Sequence, residues 1–122
     1  MDNKFSVEYT PKMEKAIKQI SNESKKLFAE IVKKIEFFQN GEHEKLDLSP
    51  IKRKNGKYKI SEMKIKSPES YRIFYVSIDE QKKRIILIDG KRKKVQAFKA
   101  SYFTVLDKTL DQYLDVEKGD KK

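Results

Sequence analysis

Three short apolar runs limit the folds open to this chain more than any other feature. Residues 58–66, 71–78 and 84–89 are rich in β-branched and aromatic side chains, and each is about one strand long. Ser67-Pro68-Glu69-Ser70 parts the first two, and Asp79-Glu80-Gln81-Lys82-Lys83 parts the next two. Parallel neighbours need a crossover of a dozen residues or more, so linkers this short predict an antiparallel three-strand meander. Alternate side chains on a strand take opposite faces. Met63 and Ile65 therefore share one face, and Glu62, Lys64 and Lys66 share the other.

The N-terminal third supplies a cover for the sheet. Phe5 to Tyr9 alternates and reads as a short first strand. Thr10-Pro11 is a helix start, with Thr as N-cap and Pro at the first helical position. Met13, Ala16, Ile17 and Ile20 then share one helical face. Ser21-Asn22-Glu23-Ser24 breaks this helix and caps a second, whose apolar stripe is Leu27, Phe28, Ile31, Val32, Ile35 and Phe38. Helices joined so tightly lie antiparallel, and their stripes are expected to cover one face of the sheet. Asn40-Gly41 ends the second helix. Residues 42–57 read as a polar connector tacked to the core by Leu46, Leu48 and Ile51. Beyond the meander, Ser101 is placed to cap a last helix with Phe103, Leu106, Leu110, Tyr113 and Leu114 on its apolar side. The expected fold is α+β in a single domain over 1–116, with 117–122 a frayed charged tail.

Charge is distributed unevenly. Between Lys52 and Lys99 there are 16 Lys and Arg against five Asp and Glu; elsewhere there are 13 against 14. The net charge of +10 thus belongs to the sheet region, which points to a polyanionic partner and to nucleic acid before membrane. No cysteine is present, so disulfides and thiolate chemistry are excluded, and a single histidine, His43, makes a zinc site a poor reading. No apolar leader and no run of membrane-spanning length is found, so a cytoplasmic protein without metal or cofactor is expected.

The motifs Glu62-Met63-Lys64, Lys64-Ile65-Lys66, Tyr71-Arg72-Ile73-Phe74-Tyr75 and Gly90-Lys91-Arg92-Lys93-Lys94-Val95-Gln96 occur in this order within the strand pattern. In order and spacing the chain resembles the RelE/HigB/ParE superfamily of bacterial toxins from type II toxin–antitoxin systems. The resemblance covers most of the chain. It implies a RelE-like fold and, for the RelE and HigB types, cleavage of mRNA on the ribosome. It also implies a cognate antitoxin as partner, of a helix-turn-helix kind. On the matching positions it implies Lys64, Lys66, Arg72 and Arg92 as catalytic cations, and Lys91, Lys93, Lys94, Phe98 and Tyr102 as RNA contacts. One departure stands out: RelE carries a tyrosine where this chain has Phe98. Phe98 can stack on a base but moves no proton, and Tyr102 lies one helical turn further on.

Metal-free RNA cleavage attacks phosphorus with the adjacent 2′-OH. It requires a base for that proton, cations for the phosphorane charge, and an acid for the leaving oxygen. Only the cations are plain in this sequence. Blander readings stand beside them. Lys64 and Lys66 also suit a solvated strand face, Arg72 a salt bridge to Glu62 or Glu69, and Lys91, Lys93 and Lys94 a solubilising loop. His43 reads as a solvated loop histidine, and Tyr58, Tyr71 and Tyr75 as cross-strand packing partners. Two rival functions follow: a ParE-like toxin that inhibits DNA gyrase without cleaving RNA, and a non-catalytic basic RNA-binding domain of phage origin.

Overall fold

Thr10 fixes the start of the first layer in the computed structural model, which describes residues 4–79, 83–94 and 97–119. Its Oγ1 accepts from Met13 N at 3.0 Å and donates to Ile88 O at 2.7 Å, capping a helix and tying it to the sheet at once. The element order is β1 (Ser6–Tyr9), α1 (Pro11–Glu23), α2 (Lys25–Gln39), a 3₁₀ turn (His43–Lys45), β2 (Leu48–Pro50), β3 (Ser61–Ile65), β4 (Tyr71–Asp79), β5 (Arg84–Arg92) and α3 (Ala100–Gly119). The class is α+β, as expected, with three helices and a mixed five-stranded sheet ordered β1-β5-β4-β3-β2. The meander β3-β4-β5 is antiparallel. β1 joins it parallel to β5, which the intervening helices permit.

α1 and α2 meet at Ser24 alone, whose backbone closes α1 and whose Oγ accepts from Leu27 N at 3.2 Å. α1 leaves from the end of β1, and α2 finishes beside its start, where Phe5 N donates to Gln39 O at 2.8 Å. The pair therefore doubles back. α2 stops at Asn40-Gly41: Gly41 takes φ 73°, Glu42 N bonds Phe37 O at 2.8 Å, and Gly41 N bonds Phe38 O at 3.1 Å. This is the paired carbonyl closure that a left-handed residue allows. Met13, Ile20, Leu27, Ile31, Ile35 and Phe38 pack on Met63, Ile65, Tyr71, Ile73, Tyr75, Ile85 and Leu87. The alternation of β3 thus falls as its sequence implies.

The opposite face differs from a simple basic sheet. α3 lies on it, with Phe103, Leu106 and Leu110 against Phe74, Val76, Ile86 and Ile88. Leu46 and Leu48 tack the connector to the first core and Ile51 to the second, as expected. The connector also holds a strand that its polarity hides, β2, paired with Glu62 and its neighbours. α3 begins at Ala100, one residue before Ser101, so Ser101 lies in the first turn and is not the cap. Its backbone runs to Gly119, and residues 120–122 lie outside the described residues.

Arg53 binds α3 to the connector. Its Nη1 and Nη2 meet the two carboxylate oxygens of Asp107 at 2.9 Å each, and Nη2 also donates to Tyr58 O at 2.6 Å. Gly56 makes room: a Cβ there would lie 2.4 Å from the guanidinium carbon. Tyr58 adds a second tie, donating its hydroxyl to Asp111 at 2.6 Å. That bond pushes the tyrosine up to about 12. Tyr58 is thus a loop anchor and not a cross-strand partner, whereas Tyr71 and Tyr75 pack within the core between sheet and helices.

Candidate nucleic-acid interface

Backbone register decides which of the expected cations meet. Lys64 lies directly opposite Arg72, and Arg72 directly opposite Lys91. Opposed residues of an antiparallel pair share a face, so three cations form one row across β3, β4 and β5, on the side that α3 leaves open. The next row is Glu62, Phe74 and Asp89. Like charges directly opposite one another destabilise a sheet. A row of three is therefore costly unless an anion lies across it. Glu62 offsets part of the cost: its Oε1 is 3.4 Å from Arg72 Nε, a pair only 11% and 16% exposed. Arg72 Nη1 also reaches Ser70 Oγ and Tyr71 O, each at 3.3 Å. Its Nε is buried and makes no hydrogen bond among the described residues.

Arg92 does not join the row. β5 holds an extra residue, Ile88, between the pairs Phe74–Asp89 and Tyr75–Leu87. This bulge shifts the alternation, so that Arg92 pairs with Tyr71 and turns toward the helix pair. There Arg92 Nη1 meets Glu23 Oε1 at 2.6 Å, and Nε meets Glu69 Oε1 at 2.5 Å. Bonds to Glu69 first and Glu23 second hold the guanidinium above its usual range. Arg92 staples the end of α1 to the 67–70 turn. Lys66 also stands apart, beyond the end of β3, 76% exposed and 3.6 Å from Asp47.

The aromatic contacts gather beside the row. Phe98 and Tyr102 stack at 5.5 Å with a 29° tilt, and both lean on Phe74 edge-on. Lys91 Nζ lies 4.8 Å from the centre of the Tyr102 ring, and Lys93 Nζ 5.6 Å from that of Phe98. Lys91, Lys94, Phe98 and Tyr102 line one hollow of about 550 Å³ at the start of α3. Val95 and Gln96, the end of the motif, lie outside the described residues.

No protein-family model matches the chain, and no curated protein matches its sequence. What the site can do is read from its own groups.

Tyr102 is not a free proton donor. Its hydroxyl donates to Asp89 Oδ2 at 2.6 Å. Burial pushes Tyr102 far above its ordinary value, and the Asp89 charge adds to this. Asp89 was not singled out from sequence. It is 4% exposed, and burial raises its carboxyl above the usual range, against Tyr102, Gly90 N, Lys12 and Lys91, which lower it. Within the sequence its only mark is an acid placed after Ile85-Ile86-Leu87-Ile88 and before Gly90. Gly90 itself is required by a close approach, since a Cβ there would lie 2.4 Å from the Tyr71 hydroxyl.

His43 corrects its reading as a solvated loop side chain. Its ring lies 4.6 Å from Phe5 and 5.3 Å from Phe38, and its Nε2 is buried without a hydrogen bond among the described residues. It stands among the core aromatics near β1, not with the cation row. Among the described residues no cluster of three His, Asp or Glu side chains is placed to hold a metal ion, and no helix is long and apolar enough to cross a membrane.

Proposed function

We propose that the chain is a RelE/HigB-type toxin of a type II toxin–antitoxin system, a ribosome-dependent endoribonuclease with a RelE-like fold. One observation carries this reading: Lys64, Arg72 and Lys91 lie in register across three strands, beside a stacked aromatic pair. The row receives the scissile phosphate and meets the charge that grows on the phosphorane. Phe98 stacks an unpaired base. Asp89 and Tyr102 share one proton beside Lys91 and are the acid–base candidates. Glu62 orients Arg72. Lys66 and Arg92 serve as outer contacts with the strand, not with the reacting phosphate. Cleavage is attack of the 2′-OH on phosphorus with loss of the 5′ oxygen, and the ribosome supplies much of the alignment of the mRNA. The partner that silences such a toxin offers carboxylates to the basic face.

A second reading draws on the proton of Tyr102 being tied to Asp89: the same face binds RNA, or acts on DNA gyrase, without cleaving anything. Primer extension on translated mRNA after induction separates the two. Cuts within codons, together with growth arrest relieved by a co-expressed neighbouring gene, support the nuclease. DNA damage with intact mRNA supports a gyrase poison. Harmless overexpression of folded protein removes both toxin readings.

A further inference from the structure

β1 ends at Tyr9, opposite Leu87, so the edge of β5 from Ile88 to Arg92 continues without a strand beside it on that side. α1 runs along this stretch, and between them lies a cleft of about 690 Å³. Lys12, Lys15 and Lys18 line it from α1, and Lys91 and Arg92 from β5. Asp89 is the only acid among the described residues lining it. Arg92 is matched by Glu23 and Glu69, but Lys12, Lys15 and Lys18 form no salt bridge among the described residues. Spaced by three residues, they climb about 4.5 Å per step along one side of the helix, and their mutual repulsion works against it. Among the described residues the cleft thus holds five cations against one lining acid, Asp89, which Lys12 and Lys91 face, while Glu23 and Glu69 match Arg92.

We propose that this cleft is a second anchoring site for single-stranded RNA, holding phosphates of the strand beyond those that lie on the Lys64–Arg72–Lys91 row. The proposal rests on the reading of the sheet face as an RNA site. Continuity selects the ligand: Lys91 belongs both to the row and to the cleft wall, so one backbone can pass from β3 across β5 onto α1. The stacked Phe98–Tyr102 pair at the crossing favours an unpaired strand, because only unpaired bases offer a free ring face. Asp89 repels a phosphate placed directly over it, so the strand passes toward the lysines of α1. An acidic protein would need neither the aromatic pair nor the continuity.

The test is anisotropy titration of a labelled oligouridine against salt. The proteins compared are wild type, Lys12→Gln/Lys15→Gln/Lys18→Gln, Lys64→Gln/Arg72→Gln, and a charge-matched control, Lys25→Gln/Lys26→Gln/Lys33→Gln, on the exposed side of α2. Each phosphate contact on a single strand contributes about 0.7 to the log–log salt slope, so the α1 triple should flatten it by about 2. Between about 50 and 200 mM salt its affinity then falls about 16-fold less than that of wild type. The α2 triple should keep the wild-type slope. A flattening confined to Lys64→Gln/Arg72→Gln overturns the cleft and leaves the sheet face standing, with the α1 lysines free to meet an acidic protein. A flattening confined to the α1 triple removes the sheet face and overturns the continuous path from the row to the cleft, whereas flattening by both the α1 triple and Lys64→Gln/Arg72→Gln upholds it. Equal loss in both triples reduces the effect to net charge and overturns the cleft, as does a wild-type protein that does not bind.

Discussion

Arg72 bears two assignments at once, and they predict different losses. Its side chain is only 11% exposed and rests against Glu62, Ser70 Oγ and the Tyr71 carbonyl, so part of its role is to hold the sheet together. It is also the centre of the cation row, where a planar fork suits a phosphate better than an ammonium. Loss of one preorganised contact to developing charge costs roughly 3 kcal/mol, or on the order of a hundredfold in rate. Arg72→Ala should therefore abolish toxicity while melting somewhat below wild type, and Arg72→Lys should recover the melting temperature but not the cleavage. Wild-type cleavage by folded Arg72→Ala on ribosome-bound mRNA would make Arg72 an ion-pair residue only, and the reacting phosphate would have to be met by Lys64 or Lys91. Asp89 gives the converse signature. Burial raises its carboxyl, so the ionised form is strained in the fold, and the strain is relieved as pH falls through the raised value. Asp89→Asn keeps an acceptor for Tyr102 and removes the charge. Its melting temperature at neutral pH should equal or exceed wild type, while cleavage drops; unchanged cleavage would exclude Asp89 from proton transfer. A stable but inactive variant is what a site residue gives and a packing residue does not.

Elements show where a sequence speaks and where it is silent. Thr10-Pro11, the stripe from Leu27 to Phe38 apart from Val32, which is exposed, and the alternation of Met63 and Ile65 each carry their own local chemistry, and each falls where that chemistry puts it. β5 does not. Ile85-Ile86-Leu87-Ile88 is apolar on both faces, because helices cover both, so no alternation marks the residue at which its phase slips. Without the bulge at Ile88, Arg92 would stand on the other face from the one it takes. β2 is three residues ending in Pro50, too short for a periodic signal. His43 and Asp89 depend on partners in other segments of the fold, Phe5 before β1 and Phe38 on α2 for one and Tyr102 on α3 for the other, which local patterns do not bring together. The position of α3 rests on the same kind of distant contact. Arg53 and Asp107 are 13% and 12% exposed, and removing one partner strands the other charge. Arg53→Ala should cost about 3 kcal/mol, a fall of about 10 °C in melting temperature. Replacing both residues by apolar ones, Arg53→Met with Asp107→Leu, should restore most of it. Calorimetry of the single and double variants decides the matter; additive losses would mean that the two side chains do not act as a pair.

At the scale of the molecule, helices lie on both faces of one sheet and leave the row end of the α3 side to the cations. β1 is an edge strand, held at one rim of this arrangement, and Glu8 fastens it on two sides. Its carboxylate pairs with Arg84 of β5 and accepts the Tyr113 hydroxyl of α3 at 2.7 Å, so three elements meet at one side chain. Arg84 holds the Glu8 carboxyl below its ordinary value, with Tyr113 helping and burial opposing. A carboxyl that is more acidic in the folded state binds fewer protons there than in the unfolded chain. Its contribution is therefore complete above the ordinary value near 4.5, and it drains away as pH falls through the depressed one. Glu8→Gln keeps the shape and much of the Tyr113 contact but loses the charge. Hydrogen bonds to a charged group contribute about 1.5–3 kcal/mol, and partial exposure reduces this, so the variant should be about 1 kcal/mol less stable at neutral pH. Below the depressed value wild type carries a neutral Glu8 as well, and the two stability curves should converge. Urea unfolding of both proteins from neutral to acid pH measures the gap directly. A gap that stays constant across that range would show that Glu8 acts through its shape alone, and the acid sensitivity of the fold would then have to come from other carboxylates.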